Sequence, residues 1–136
     1  MTWMLLALLV TDLAAVKQEP NLEHRSELAI TYANTALDAA RDAYQAGDME
    51  KTQAALSDVG DSVDLAWESL QATGKSPRKS PKFFKRAELG TRELLRRIEG
   101  FSQVMSARDR EMTLAVRDRV ADVHDELLKG IMAKKP

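Results

Sequence analysis

Apolar and small residues recur in steps of three and four along four stretches of the chain, and polar residues fill the positions between them. This period places one apolar stripe along one side of each stretch, which is typical of amphipathic α-helices. Few glycines and prolines interrupt the stretches. The pattern predicts four helices, over residues 22–46, 48–73, 81–105 and 107–132.

Residues that favour helix ends lie between these stretches. Gly47 suits the left-handed position after a helix, and Asp48 suits the N-cap of the next one. Ser80 and Pro81 are typical of an N-cap and a first helical position. Ser106 begins a capping-box pattern. The short connection at Gly47 predicts a tight helical hairpin.

The four stripes predict the core of the protein. Their residues are Ile30, Ala33, Leu37, Ala40 and Tyr44; Met49, Thr52, Leu56, Val59, Val63, Ala66 and Leu70; Phe84, Ala87, Thr91, Leu94, Ile98, Phe101 and Met105; and Met112, Val116, Val120, Val123, Leu127 and Ile131. Four helices of this length with short connections bury their stripes against one another. We predict an all-α fold, an antiparallel up-down-up-down four-helix bundle. Trp67 and Phe83 are expected to pack at the core or its edge.

The beginning of the chain is its most apolar segment. Residues 2–16 are almost entirely apolar and give way to polar residues at Lys17. A membrane-spanning helix needs about 20 apolar residues, whereas the apolar part of a signal peptide needs about 7 to 15. We therefore expect no transmembrane span and a signal peptide over residues 1–16, cleaved after Ala15 or Val16. This predicts an exported protein, periplasmic or extracellular.

Two features of this segment count against a signal peptide. Lys and Arg are missing from its first residues, and Asp12 lies close to the expected cleavage site. The alternative is an additional amphipathic helix that packs on the folded domain of residues 17–136, in which case the protein is cytoplasmic.

The composition excludes several kinds of chemistry. The chain has 136 residues and no cysteine, which fits a single domain and excludes disulfides and thiolate metal sites. Neither His24 nor His124 stands in the Glu-x-x-His spacing of di-metal carboxylate bundles. The remaining metal hypothesis joins both histidines to acids near residues 122–126. We expect no enzymatic activity, no catalytic residues, no cofactor and no metal.

Charge is divided unevenly between the two predicted hairpins. Residues 17–74 contain four Lys or Arg and eleven Asp or Glu, a net charge of −7, whereas residues 75–136 contain sixteen and nine, a net charge of +7. One interpretation is internal, since an acidic hairpin that docks on a basic one gains orientation from pairs worth about 0.2 to 1 kcal/mol each.

Residues 75–86 hold six cations and no acid, and we call these six side chains the basic cluster: Lys75, Arg78, Lys79, Lys82, Lys85 and Arg86. Cations at the start of a helix oppose the positive end of its dipole. The unpaired N–H groups there also favour an anion. We therefore predict an anion-binding surface, to which Lys79, Lys82, Lys85 and Arg86 contribute. The competing internal partners are Glu19, Glu23, Glu27 and Glu68.

Residues 37–56 resemble the helix, Gly-Asp turn and second helix of a tetratricopeptide unit, with Ala40 at the small-residue position. The segment departs from that unit at Thr52, where the repeat has a small residue, and it lacks the closing proline near Asp64. More broadly, the chain resembles small, uncharacterised exported bacterial helical proteins, a likeness that implies no activity.

These observations lead to two hypotheses about function. The first is an exported, non-enzymatic helical module that is structural or binds an unknown protein in the cell envelope, as a monomer or homodimer. The alternative is a module that binds a polyanion, such as anionic lipid, lipopolysaccharide or nucleic acid without sequence specificity, through the basic cluster. The steep salt dependence of polyanion binding separates the two.

Overall fold

The computed structural model describes residues 12–133, and every regular element in that part of the chain is an α-helix. The prediction of an all-α fold is confirmed. Within the described residues, no helix combines the length and the apolar character needed to cross a membrane. The helices are α1 (Leu13–Lys17), α2 (Leu22–Gln45), α3 (Met49–Ala72), α4 (Lys82–Val104) and α5 (Glu111–Ile131).

The first hairpin begins and turns at the residues that the sequence indicates. Asn21 caps α2, because its Oδ1 accepts a hydrogen bond from the His24 N–H at 2.9 Å. Gly47 has a φ of 78°, in the left-handed region that favours glycine. Asp48 then caps α3 by accepting from the Lys51 N–H at 3.0 Å. These local bonds fix the turn between α2 and α3.

The starts of α4 and α5 differ from the expected ones. Pro81, rather than Ser80, stands at the N-cap of α4, and no side chain caps that helix. Ser106 Oγ does accept from the Asp109 N–H, at 3.2 Å, but this bond closes a turn that precedes α5. Helix α5 therefore begins at Glu111, four residues later than predicted.

Each long helix packs along two of the others. Helix α2 packs on α3 and on α4, while α5 packs on α4 and on α3. Glu27 pairs with Arg86 and Asp38 with Arg97, and both pairs join residues 59 apart. Because both pairs have the same spacing, α2 and α4 run in the same direction side by side.

The predicted stripes supply most of the buried residues. The whole α4 stripe is buried, from Phe84 to Met105. Thr52 and Thr91 lie in the core at 0 % exposure, since their hydroxyls donate to helix carbonyls of Asp48 and Ala87 at 2.7 and 2.9 Å. Met49 is the exception, at 37 % exposed. The stripe positions Ile30, Tyr44, Met112 and Ile131 are partly buried at the edge, together with Trp67 and Phe83.

Helix α1 lies on the surface formed by α2 and α3. Val16 is 3 % exposed and packs with Ala29, Leu65 and Ala66 in a small second core. Asp12 caps this helix by accepting from the Ala14 N–H at 3.0 Å. The packing of α1 fits the alternative of an additional helix for residues 13–17. The rest of the predicted signal peptide, residues 1–11, lies outside the described residues.

Candidate anion-binding site

The basic cluster occupies the connection between α3 and α4 and the first two turns of α4. Lys75 and Lys79 are exposed in the loop, and Arg78 is partly buried there. The loop is folded on itself, because the Ser80 N–H donates to the Ser76 carbonyl at 2.8 Å. Lys82, Lys85 and Arg86 are exposed on α4. The structure thus gathers all six cations at one end of the helices.

The loop also packs against the end of α5. A Cβ atom placed on Gly130 would lie 2.9 Å from Cγ of Pro77, which is closer than such contacts allow. The absence of a side chain at Gly130 therefore lets the loop approach α5. This contact brings Lys129, which is exposed, to the same end as the basic cluster.

Two of the six cations pair with acids of α2. Lys75 Nζ lies 2.9 Å from Glu23 Oε2, and Arg86 Nη1 lies 2.5 Å from Glu27 Oε2. Both acids are among the predicted internal partners. Glu19 instead lies 4.0 Å from His24, and within residues 12–133 no cation pairs with Glu68. Internal pairing therefore accounts for one third of the basic cluster.

The other four cations are Arg78, Lys79, Lys82 and Lys85, and we call them the free cations. Among the described residues, none of them lies within 4.0 Å of a carboxylate oxygen. Lys82 is also the first residue of α4, a helix that has no side-chain cap. Its positive charge therefore lies at the positive end of the helix dipole, and the two repel each other.

Phe83 lies between two members of the basic cluster. Lys82 Nζ and Arg86 Cζ are each 5.2 Å from the centre of its ring, within the range of cation–π attraction. The ring is half-buried and lines a groove of about 210 Å³ between α2 and α4, beside Ile30. The groove is smaller than the roughly 300 to 1,000 Å³ of small-molecule pockets. A larger, open hollow of about 680 Å³ is lined by residues of α5, including Asp122 and Asp125, and by Met132 directly after that helix.

A second charged group lies in the interface between α4 and α5. Glu88 is 6 % exposed, and its Oε2 accepts from Arg92 Nη2 at 2.7 Å and lies 2.8 Å from His124 Nε2. Burial acts to raise the pKa of Glu88, but the hydrogen bonds from His124 and Arg92 outweigh it and hold that pKa below its ordinary value. Glu88 is therefore a buried carboxylate stabilised by two donors.

Sequence reasoning missed Glu88. The only signals are its position directly after the stripe residue Ala87 and the i,i+4 spacing to Arg92. The two histidines have different acidic neighbours, since His24 lies 4.0 Å from Glu19 and His124 lies 2.8 Å from Glu88. Within residues 12–133, no group of three His, Asp or Glu side chains is arranged to hold a metal ion.

Ion pairs also join the two hairpins away from the basic cluster. Arg119 of α5 donates from Nη2 to Asp61 at 2.8 Å and to Asp64 at 2.6 Å. Burial acts to lower the pKa of Arg119, but these two carboxylates outweigh it and raise that pKa. Its guanidinium lies over Gly60, where a Cβ atom would be 2.7 Å from Cζ. In each of these pairs the acid belongs to the first hairpin and the cation to the second.

No protein-family model matches the chain, and no curated protein matches it either. Function is therefore inferred from the geometry and charge of the chain's own residues.

Proposed function

We propose that this chain is a non-enzymatic helical-bundle module that binds a polyanion through the free cations of its basic cluster. The observation that carries the proposal is the contrast between paired and unpaired cations at one end of the fold. Lys75 and Arg86 are held by acids, whereas Arg78, Lys79, Lys82 and Lys85 project without such partners among the described residues.

The ion pairs elsewhere in the fold give a reference for this contrast between paired and unpaired cations. Arg97 donates to Asn34 and Asp38, and Arg119 donates to Asp61 and Asp64. At these two contacts, acids of the first hairpin meet cations of the second. Positive charge that serves only this docking would be expected to lie in the interface, and the free cations do not.

The proposed module is a four-helix bundle with an up-down-up-down course of α2 to α5. Contacts between successive and alternate helices, together with a core drawn from all four, support this arrangement. A non-enzymatic role is supported by Glu88 and His124, because this acid–histidine pair is hydrogen-bonded within the α4–α5 interface. Both groups then serve folding.

Export to the cell envelope is the second part of the proposal. It rests on the contrast between the apolar residues 2–16 and the polar chain from Lys17 onward. Intact-mass measurement of the protein from its native host tests it. A mass that lacks residues up to Ala15 or Val16 supports export, and a full-length chain recovered from the cytoplasm contradicts it.

A structural or protein-binding module in the envelope, monomeric or homodimeric, is the second candidate function. The ion pairs between the two hairpins favour it, because charge in these pairs holds the fold together and needs no outside partner. Its partner would contact exposed apolar side chains such as Val104, which is 66 % exposed. Binding to such a partner would change little with salt.

Salt dependence of binding to heparin separates the two functions. Each cation contact with a charged polymer releases counterions, so the logarithm of the affinity falls linearly with the logarithm of salt concentration. Four contacts predict a loss of roughly a hundredfold between 50 and 200 mM salt. The absence of retention on heparin at low salt would contradict the polyanion function and leave the protein-binding module.

A further inference from the structure

Leu89 is an exposed apolar side chain in the middle of a basic helix surface. It is 55 % exposed on α4. Its neighbours three and four residues away on the helix are Lys85, Arg86, Arg92 and Glu93, three cations and one acid. One further turn away in each direction lie Lys82 and Arg96. We call Lys82, Lys85, Leu89, Arg92 and Arg96, all exposed, the outer face of α4.

We propose that the polyanion is an anionic lipid bilayer, which the outer face of α4 contacts side-on with Leu89 inserted among the lipids. This inference rests on the proposed polyanion function, for which it names the partner. It extends the binding surface beyond the loop, along about two thirds of the length of α4.

Charge gives the first reason for this partner. Lys and Arg side chains near an anionic membrane surface each contribute attraction that corresponds to about fivefold in affinity. Lys82 and Lys85 have no carboxylate partner among the described residues, and Lys79 and Arg78 precede them in the same cluster. Arg92 and Arg96 pair with Glu88 and Glu93, but their side chains remain 62 % and 77 % exposed. Their guanidinium groups can therefore also bind lipid phosphate.

Leu89 gives the second reason. A soluble polyanion offers charge and no apolar layer, so an exposed leucine adds nothing to its binding. A bilayer offers both, because an interfacial helix buries its apolar face about 5 to 10 Å into the boundary between the charged head groups and the acyl chains. A leucine whose helix neighbours are three cations and one acid therefore matches a surface that is anionic outside and apolar beneath.

The test measures binding of the full chain to two probes, vesicles that contain anionic phospholipid and immobilised heparin. Neutral phospholipid vesicles serve as the reference, because the apolar residues 2–11 can bind lipid without any contribution from charge. The variant is Leu89→Ser. The matched control is Leu114→Ser on α5, since Leu114 is 41 % exposed and its helix neighbours are two cations and two acids: Arg110, Glu111, Arg117 and Asp118.

We expect Leu89→Ser to weaken binding to anionic vesicles about five- to tenfold, since half of a leucine side chain leaves the lipid. Retention on heparin should not change, and Leu114→Ser should alter neither. Unchanged vesicle binding by Leu89→Ser would overturn the inference. So would retention on heparin without preference for anionic over neutral vesicles, although the polyanion function would then stand. Failure to bind either heparin or anionic vesicles at low salt would overturn both.

Discussion

Arg86 of α4 is held by Glu27 of α2, with 2.5 Å between Nη1 and Oε2. The same spacing of 59 residues joins Arg97 to Asp38 eleven positions further along both helices. These contacts lie on the line where the acidic hairpin meets the basic one. Part of the uneven charge of the sequence is therefore used inside the fold, whereas within the described residues the free cations take no part in this pairing.

The burial of the predicted stripes can be tested by placing a single carboxylate in the core. Val63 and Ile98 are both 0 % exposed in the core. Replacing either with Asp buries an unpaired charge at a cost of several kcal/mol, comparable to the whole stability of a small domain. Circular dichroism should show an unfolded chain. The control is Val104→Asp, at a site that is 66 % exposed; a Val63→Asp melting curve like that of this control would contradict the core.

Alanine substitutions at two glycines of α4 distinguish the effect of helix propensity on stability from the effect of packing between helices. Alanine in place of an exposed helical glycine stabilises by about 0.5 to 1 kcal/mol. Gly100 has no atom within 4 Å of its missing Cβ, whereas a Cβ on Gly90 would lie 2.8 Å from Cγ2 of Ile30. We expect Gly100→Ala to raise the midpoint of urea unfolding and Gly90→Ala to raise it less or lower it. Equal gains from both variants would show that α2 and α4 are not in close contact at Gly90.

How much of the fold follows from the sequence depends on the range of the interactions. The turn at Gly47 and Asp48 and the stripe that contains Val63 are encoded by neighbouring residues and are found as predicted, except that Met49 of that stripe is exposed. The order of helices around the core is not local. A stripe such as that of α4 requires burial, but it does not specify whether α2 or α3 covers it. Contacts between helices, such as that of Ile30 with Gly90, decide which helix does so.

The candidate site could be predicted from the sequence only in part, because it too depends on contacts between residues that are far apart in the chain. The composition of residues 75–86 reveals six cations, but only the fold shows that Glu23 and Glu27 reach two of them. Glu88 looks like a surface residue in the sequence. Its burial depends on His124, 36 residues away on another helix, and no local pattern indicates that meeting.

The buried carboxylate of Glu88 predicts a dependence of stability on pH. Because its pKa is lower in the folded protein than in the unfolded chain, the unfolded state binds the proton at higher pH. The stabilisation is therefore present above the ordinary Glu pKa of about 4.3 and is lost as pH falls through the folded value. Chemical denaturation of parent and Glu88→Gln should differ by about 1 to 2 kcal/mol at pH 7, with the difference shrinking toward pH 3.

The control for this experiment is Glu93→Gln, on the same helix. Glu93 pairs with Arg96, but its side chain is 49 % exposed, and exposed pairs contribute little. The free energy of unfolding of the Glu93→Gln variant should equal that of the parent at every pH. A Glu88→Gln variant as stable as the parent at pH 7 would show that the hydrogen bonds with His124 and Arg92 do not stabilise the α4–α5 interface.

The packing of α1 predicts that residues 13–17 contribute to stability. Val16 is 3 % exposed against Ala29, Leu65 and Ala66. Val16→Ser should lower the free energy of unfolding by about 1 to 2 kcal/mol, because apolar surface loses its cover. Ala14→Ser, at an exposed position of the same helix, should have little effect. If both variants melt like the parent, α1 is not part of the folded body, and cleavage after Val16 would cost no stability.

The basic cluster divides into cations that hold the fold and cations that bind the polyanion. Two double variants remove the same amount of charge from the same end of the protein. Lys75→Gln with Arg86→Gln removes the partners of Glu23 and Glu27, and Lys82→Gln with Lys85→Gln removes two free cations.

The most direct measurement is the salt concentration at which each double variant elutes from heparin, with its urea midpoint recorded in parallel. We predict that the Lys82 and Lys85 variant elutes at clearly lower salt and keeps or gains stability, since unfavourable charge at the helix start is relieved. The Lys75 and Arg86 variant should elute near the parent and lose up to about 1 kcal/mol per pair. Equal elution of the two variants, or elution of the Lys82 and Lys85 variant together with the parent, would contradict this division.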